Sequence, residues 1–367
     1  MSKTPSQYVI IAAGGTGGHI YPAVALAETL VEKSYDLLWI GSGSVLERKL
    51  LKPYGWPYRA VMAKPYRQAG WYQKCKLPFV LASGICQALS IMIKRRPRFV
   101  ITTGGYVSVT TTIAARMLAI PVFMCEQNSR PGLANRMLGR LAKRIFTAYP
   151  DVFPHFPKEK IHMVGNPLRD KVLQQATTKK QAQFKPRQPI SLLVMGGSQG
   201  AKIFNEKIPG LLSSLQHKED IKIIHQAGAL ANIDEIQQAY DNEGIQAQVL
   251  PYLDNIASYY EQTHLVIARA GALTITELVQ FCLPSILIPL PNSADNHQFH
   301  NAHYHQTLGC AWLLPQDRFV RDGYLSNMVN ALHLSSGHIN SMRKVCEKIQ
   351  SHQVAHNIIT HCESQTH

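Results

Sequence analysis

Four apolar runs in this chain break into turns of glycine and other small residues and then resume as helical pattern. Tyr8–Ala13 runs into Gly14-Gly15-Thr16-Gly17-Gly18-His19, and Phe99–Thr103 into Gly104-Gly105. Ile190–Met195 runs into Gly196-Gly197-Ser198-Gln199-Gly200, and Leu265–Ala268 into Arg269-Ala270-Gly271. Glycine accepts the backbone angles of a tight strand-to-helix turn. Without a Cβ it also lets main-chain N–H groups approach a phosphate at a helix N-terminus. Continuous apolar strands alternating with helices require a parallel sheet covered on both faces, with ligands at the carboxyl ends of the strands. Two such turns in each half imply an α/β chain of two doubly wound, Rossmann-like domains facing a central cleft.

The same grammar gives further strands at Asp36–Ile40, Val122–Cys125, Ile221–Gln226, Ala247–Val249 and Ser285–Ile288, and a first helix from about Tyr21 to Lys33. The turn Gly165-Asn166-Pro167 closes the first series, and a polar stretch separates it from Pro189. This places one domain over 1–165, a second over 166–340, and a helical tail over 341–367 that packs back on the first. A chain of 367 residues, 46% hydrophobic and 17% charged, can fill two such cores.

The net charge of +15 is carried by one half: residues 1–165 hold 22 Lys and Arg against 7 Asp and Glu, whereas residues 166–367 hold 16 of each. Such asymmetry points to an anionic partner for the first half, whether nucleic acid, an anionic membrane surface or an acidic substrate. No nucleic-acid motif accompanies the charge, so nucleic acid is not expected. Eight of the cations lie between Lys64 and Arg98, interleaved with Trp71, Tyr72, Leu77, Phe79, Ile91 and Met92. Apolar residues rimmed by cations suit a peripheral membrane site; the alternative is a core helix with solvated ends. The run Leu77–Ile93 falls short of the roughly 20 residues of a spanning helix, and Ser83, Gly84, Gln87 and Ser90 interrupt it, so it reads as buried or interfacial. Seven cysteines with no Cys-x-x-Cys pair, and no leader-like apolar segment at the N-terminus, read as free thiols in a reduced, cytoplasmic protein without structural zinc.

The first turn does not fit the dinucleotide pattern G-x-G-x-x-G, since counting from Gly15 the sixth position is Ile20. The second strand ends Trp39-Ile40-Gly41-Ser42 without an acidic residue to hold a ribose, which argues against a nicotinamide cofactor. His19 at the helix start is a candidate general base, since histidine exchanges protons near neutral pH; the plain alternative is a surface histidine. Ser198 can offer a diphosphate both its N–H and its hydroxyl, and Arg269 can neutralise a leaving group. Glu277 follows Thr274 by three residues, either as a capping-box carboxylate or as a grip on two ribose hydroxyls. His297, His300, His303 and His305 lack the H-E-x-x-H spacing and read as solvated or packed. No Asp-x-Asp motif occurs, so no metal and no cofactor are expected.

Taken in order and spacing, GGTGGHIYPA, TTGGYVS, EQNSRPGLANR, GNPLR, GGSQGA and ARAGALTITE resemble the cell-wall N-acetylglucosaminyltransferases of glycosyltransferase family 28, over about Tyr8 to Ala311. The resemblance implies a GT-B architecture whose C-terminal domain binds UDP-GlcNAc. Its N-terminal domain binds lipid I and docks, as a peripheral protein, at the cytoplasmic face of the bacterial inner membrane. The product is lipid II for peptidoglycan synthesis, with inversion at the sugar carbon and with cell-wall synthesis proteins as partners. Matching motifs place Thr16, Gly17 and Gly18 near the donor sugar and phosphates, and put Asn128, Arg169 and Ser198 in contact with the donor. They assign Leu253 to uracil through its backbone, Ala272, Leu273, Thr274, Ile275, Thr276 and Glu277 to phosphate and ribose, and Gln298 to the sugar hydroxyls. His19, Tyr106 and Glu126 match the acceptor-side polar residues. One departure is PLPNSADNHQFHNA, which is one residue longer than the family pattern. Asn301-Ala302 fixes Gln298, while the register of 291–297 shifts.

Overall fold

Val9, Ile10, Ile11 and Ala12 are all fully buried, which a strand permits only when both faces of its sheet are covered. The computed structural model describes residues 7–63, 71–177, 184–185, 189–197, 200–334 and 336–366, with side chains for all of these except 71–76, 177, 334 and 336. The chain divides into two compact units, residues 1–170 with 351–367, and residues 171–350.

Unit 1 begins β1 (Tyr8–Ala12), α1 (Gly17–Glu32), β2 (Asp36–Gly41), α2 (Val45–Leu51), β3 (Tyr58–Ala60) and α3 (Trp71–Lys94). It continues with β4 (Val100–Thr102), α4 (Tyr106–Met117), β5 (Val122–Glu126), α5 (Leu133–Leu138), β6 (Arg144–Thr147) and β7 (Ile161–Met163). Helix α6 (Asp170–Thr177) leads into unit 2, which opens with β8 (Ile190–Met195), α7 (Lys202–Leu211), β9 (Ile221–Gln226), α8 (Ile233–Asn242), β10 (Ala247–Leu250) and α9 (Ile256–Gln262). There follow β11 (Leu265–Ala268), α10 (Ala272–Gln280), β12 (Ser285–Leu287), α11 (His297–Leu308), β13 (Ala311–Leu313), α12 (Gln316–Phe319), α13 (Tyr324–Leu334) and α14 (Ser336–Ile349). Helix α15 (Val354–Ser364) belongs to unit 1 again.

Among the described residues every strand pairing is parallel. Unit 1 has the order β3-β2-β1-β4-β5-β6-β7 and unit 2 the order β10-β9-β8-β11-β12-β13, so each is doubly wound, as the α/β reading requires. In unit 1, Val9 and Ile11 face one core with Val24, Trp39 and Phe123, while Ile10 and Ala12 face the other with Val100 and Val107. In unit 2 one large core gathers Leu192, Val194, Phe204, Tyr240 and Ile267. Ile358, Ile359 and Cys362 of α15 complete the first of the unit 1 cores, and Glu363 anchors the helix by accepting from Lys33 Nζ at 2.8 Å and Tyr35 Oη at 3.0 Å.

The nine strands read from sequence match β1, β2, β4, β5 and β8–β12 to within one residue at each end. β3, β6, β7 and β13, short strands that each include half-buried or exposed positions, are not among them. Helix α1 starts at Gly17, earlier than its apolar periodicity, because Gly17 and Gly18 are helical despite glycine's poor propensity. The six cysteines with described side chains are all free thiols. The window Leu77–Lys94 in α3 has mean hydropathy 1.6 and is only 17% buried, so the core-helix alternative does not hold.

His225 at the end of β9 is fully buried against Tyr240 Oη at 3.0 Å, and burial pushes its pKa down to about 4. Its folded state therefore stays neutral where the unfolded chain takes up a proton. Stability is complete above the unfolded value of 6.5 and is lost as pH falls from there towards 4, by roughly 3 kcal/mol in all. Urea titrations at pH 7 and pH 4.5 will show that loss, and His225→Gln will flatten most of it; an unchanged slope in the variant would assign the loss elsewhere.

Candidate active site

The strand order reverses between β1 and β4 in unit 1 and between β8 and β11 in unit 2. The four glycine-rich turns leave the carboxyl ends of these four strands, so each unit presents a pair of turns at its switch point, where open α/β sheets bind ligands. The helices that follow share a property. Among the described residues, no side chain caps the N-termini of α1, α4, α7 or α10, and none has an acidic residue in its first turn. By contrast, α2 and α8 carry Ser44 and Asn232 as side-chain caps, with acidic first turns. Uncapped first-turn N–H groups with a positive helix end suit an anionic ligand.

In unit 1 the two turns touch. Gly104 has φ +104°, and a Cβ there would lie 2.9 Å from the His19 ring; Gly105 has φ +85°, and its Cβ would lie 2.5 Å from Gly14 O. His19 Nδ1 is 2.8 Å from Thr103 O, and Thr103 Oγ1 donates to His19 O at 2.7 Å. A carbonyl only accepts, so Nδ1 carries the proton and the neutral ring keeps its lone pair on Nε2. Tyr106 opens α4 half-exposed, with its ring edge facing Gly15. Thr16 and Gly18 are exposed at the start of α1, and Gly17 is half-buried.

Glu126 behaves differently. Its carboxylate is buried and accepts from Asn128 N at 3.0 Å, Asn128 Nδ2 at 3.3 Å, Gly132 N at 3.2 Å and Asn135 Nδ2 at 2.8 Å. It organises the loop that presents Asn128, and four donors occupy its oxygens. Arg169 lies over the Tyr21 ring at 4.4 Å and shares hydrogen bonds with Tyr54, whose hydroxyl burial holds above its ordinary range.

In unit 2, Gly200 has φ +75° and approaches β9 so closely that a Cβ would sit 1.9 Å from Ala227 O. Ser198 lies outside the described residues. Arg269 is turned to the protein's own backbone. It is buried, donating through Nη1 to Ile288 O (3.2 Å) and Pro289 O (3.1 Å) and through Nη2 to Gln316 Oε1 (2.8 Å), and it stacks over Phe204. Burial lowers its pKa to about 10. Gln298 Oε1 accepts from Leu290 N at 2.9 Å, so Arg269 and Gln298 hold three successive residues after β12. The loop between β12 and α11 takes left-handed backbone at Asn292, Asp295 and Asn296.

Helix α10 begins at Ala272 with Gly271 as its N-cap, so Glu277 falls beyond the first turn and no Thr274–Glu277 capping box forms. Glu277 Oε2 instead accepts from the buried Tyr260 hydroxyl at 3.0 Å, while Thr276 Oγ1 donates back to Ala272 O at 2.9 Å. Leu273 and Thr274 are half-buried on the first turn, Ile275 is buried beneath it, and Leu253 is buried in the loop after β10. The histidines of α11 pack separately: His303 stacks on Phe299, and His305 Nδ1 meets Cys310 Sγ at 3.3 Å.

Sequence reasoning missed Glu47. It is fully buried beneath the first turn, where its carboxylate receives Gly15 N at 3.0 Å. A signal was present in Ser44-x-x-Glu47, a capping-box spacing, and Ser44 Oγ does accept from Glu47 N at 3.2 Å.

The glycosyltransferase family 28 N-terminal domain matches residues 9–147, and the family's C-terminal domain matches residues 191–357. A relative from Pseudomonas entomophila (strain L48), named UDP-N-acetylglucosamine--N-acetylmuramyl-(pentapeptide) pyrophosphoryl-undecaprenol N-acetylglucosamine transferase, is 34% identical over 98% of both chains. A relative of the same name from Coxiella burnetii (strain RSA 493 / Nine Mile phase I) is 34% identical over 97% of this chain and 98% of its own. The crystal structure of Acinetobacter baumannii MurG aligns with a TM-score of 0.78 at 28% identity, covering 96% of this chain and 98% of that one. Turn for turn and over nearly its whole length, the chain belongs to glycosyltransferase family 28, with the MurG-type N-acetylglucosaminyltransferases.

Proposed function

We propose that this chain transfers N-acetylglucosamine from UDP-GlcNAc to the C4 hydroxyl of the muramyl sugar of undecaprenyl-pyrophosphoryl-MurNAc-pentapeptide (lipid I), giving lipid II with inversion at the anomeric carbon. The observation that carries the chemistry is His19, whose Nδ1–H is spent on Thr103 O, so that Nε2 is the basic nitrogen. The muramyl oxygen attacks the anomeric carbon and its proton passes to Nε2. The electron pair of the breaking C–O bond goes to the β-phosphate of UDP, which leaves from the opposite face. General-base help of this kind is typically worth about 10²–10⁴-fold.

Unit 2 takes the donor. The uncapped N-termini of α7 and α10, with Ser198 and the stretch Ala272–Glu277, meet diphosphate and ribose, and each preorganised donor is typically worth roughly 3–4 kcal/mol in the transition state. Leu253 reads uracil through its backbone, and Gln298 the sugar hydroxyls. Arg169, Asn128 and Thr16–Gly18 complete the donor contacts. Arg269 acts by fixing the loop between β12 and α11, which Gln298 also holds, and Glu126 by fixing the loop that carries Asn128. Tyr106 and the turns of the basic unit 1 face the anionic acceptor.

Membrane docking falls to α3. Phe79 and Ile93 are 78% and 68% exposed on it, and Lys94, Arg95 and Arg96 are exposed at its end. An exposed apolar stripe ending in cations fits the headgroup boundary of an anionic leaflet, so the protein works as a peripheral protein on the cytoplasmic side of the inner membrane. Lys64 and Arg67 of the same basic stretch lie outside the described residues.

Purified protein given UDP-GlcNAc and a lipid I analogue will form the disaccharide product, and no product above a heat-killed control would sink the assignment. His19→Ala will lower kcat by about 10²–10⁴-fold with UDP-GlcNAc affinity nearly intact; an equal loss of donor affinity would make His19 a binding residue instead. In flotation with phosphatidylglycerol vesicles, the pair Phe79→Ser and Ile93→Ser will weaken binding about tenfold or more. Unchanged flotation would remove α3 from the membrane contact.

A further inference from the structure

The carboxylate of Glu47 is fully buried, and five donors converge on it. Oε1 receives Gly15 N at 3.0 Å and Ser42 Oγ at 2.5 Å, and Oε2 receives Ser42 N at 2.8 Å, Gly43 N at 3.2 Å and Tyr58 Oη at 2.8 Å. The Tyr58 hydroxyl also accepts from Gly43 N at 2.7 Å, tying β3 into the same knot. A buried carboxylate surrounded by backbone N–H groups and hydroxyls is a strong clamp, because each donor lost leaves a desolvated charge under-satisfied. What the clamp holds is the first glycine-rich turn. The Gly15 N–H points inward at Glu47, and Gly14 packs so closely on the carboxylate that a Cβ would lie 2.6 Å from Oε1. The outer side of that turn faces Tyr106, and its far end starts α1 with His19 in the first turn.

We propose that Glu47 is a positioning residue: by holding the Gly15 amide it fixes the turn between β1 and α1, and through the turn it sets where His19 Nε2 and Tyr106 stand. This rests on the transfer reaction proposed above. Glu47 contacts neither reacting atoms nor His19. It acts through the backbone, and the chemistry of its donors decides what a substitution does. In Glu47→Gln the carboxamide NH₂ must face donors on either side. Turned towards Oε2 it opposes two backbone N–H groups; turned towards Oε1 it opposes one, that of Gly15, since the Ser42 hydroxyl can rotate to accept. The less costly orientation therefore releases the Gly15 amide.

The test combines a mutant cycle with a measurement that needs no reaction. In the wild-type background Glu47→Gln will lower kcat about tenfold to hundredfold, as small misplacements of a reacting group do. In a His19→Ala background the same change will cost less than about threefold, because positioning a base that is gone has no value. A cost of equal size in both backgrounds, or wild-type turnover in Glu47→Gln, overturns the proposal. Amide hydrogen exchange of Gly15 reads the clamp directly: it will accelerate about tenfold or more in Glu47→Gln relative to the wild type, and equal exchange also overturns it. If the wild-type protein shows no transfer, the reaction assignment fails while the exchange result still decides whether the clamp exists. Should Glu47→Gln not fold, Tyr58→Phe removes one hydroxyl donor and leaves the carboxylate in place. The proposal then requires a turnover loss of a few-fold that vanishes in the His19→Ala background.

Discussion

The site depends on backbone passing backbone at distances that only glycine allows. At the unit 1 switch point, Gly105 lets the second turn lie on the carbonyl of Gly14, and Gly104 leaves room for the His19 ring. At the unit 2 switch point, Gly200 presses against the carbonyl of Ala227. A methyl group at any of these positions meets main-chain atoms or the imidazole, so the turns would separate and the helices behind them would swing. The glycines therefore do two things: they expose amides to a ligand, and they set the spacing between the two turns that would share it.

Around that geometry the polar groups divide into those that hold the scaffold and those left to act. Glu47, Glu126 and Arg269 are buried ionisable side chains, each held by several hydrogen bonds to its surroundings. Each grips a loop: the turn after β1, the loop after β5, and the loop after β12. A buried charge with all its partners in place is costly to disturb, which makes such residues good anchors and poor proton shuttles. His19 differs in having one ring nitrogen committed and the other not tied by its backbone partner.

Much of this was legible in the sequence, and the pattern of what was not is instructive. Central strands of five or six buried residues announce themselves by continuous hydrophobicity, whereas β3 and β7 are three residues long and carry exposed positions. Motif matching located His19, Glu126 and Arg269 but could not assign their work, because identity does not reveal whether a charge is saturated. Arg269 shows this most clearly: a cation after a glycine-rich strand end looks like a phosphate ligand until its partners prove to be two backbone carbonyls and Gln316. Glu47 was hidden for the opposite reason. Its partners come from three separate strand ends, and long-range convergence leaves no local spacing to read beyond the Ser44 cap.

The return of α15 to unit 1 has a consequence for the order in which the molecule can be made. Unit 2 is continuous in sequence, while unit 1 is completed only by residues 351–367. During synthesis the ribosome releases residues 1–170 of unit 1 first, yet Ile358, Ile359 and Cys362, which close one of its cores, emerge only after unit 2. The basic half must therefore wait, with an apolar seam on α1 uncovered, until the other half has been made. Residues 351–367 act as the latch that closes unit 1.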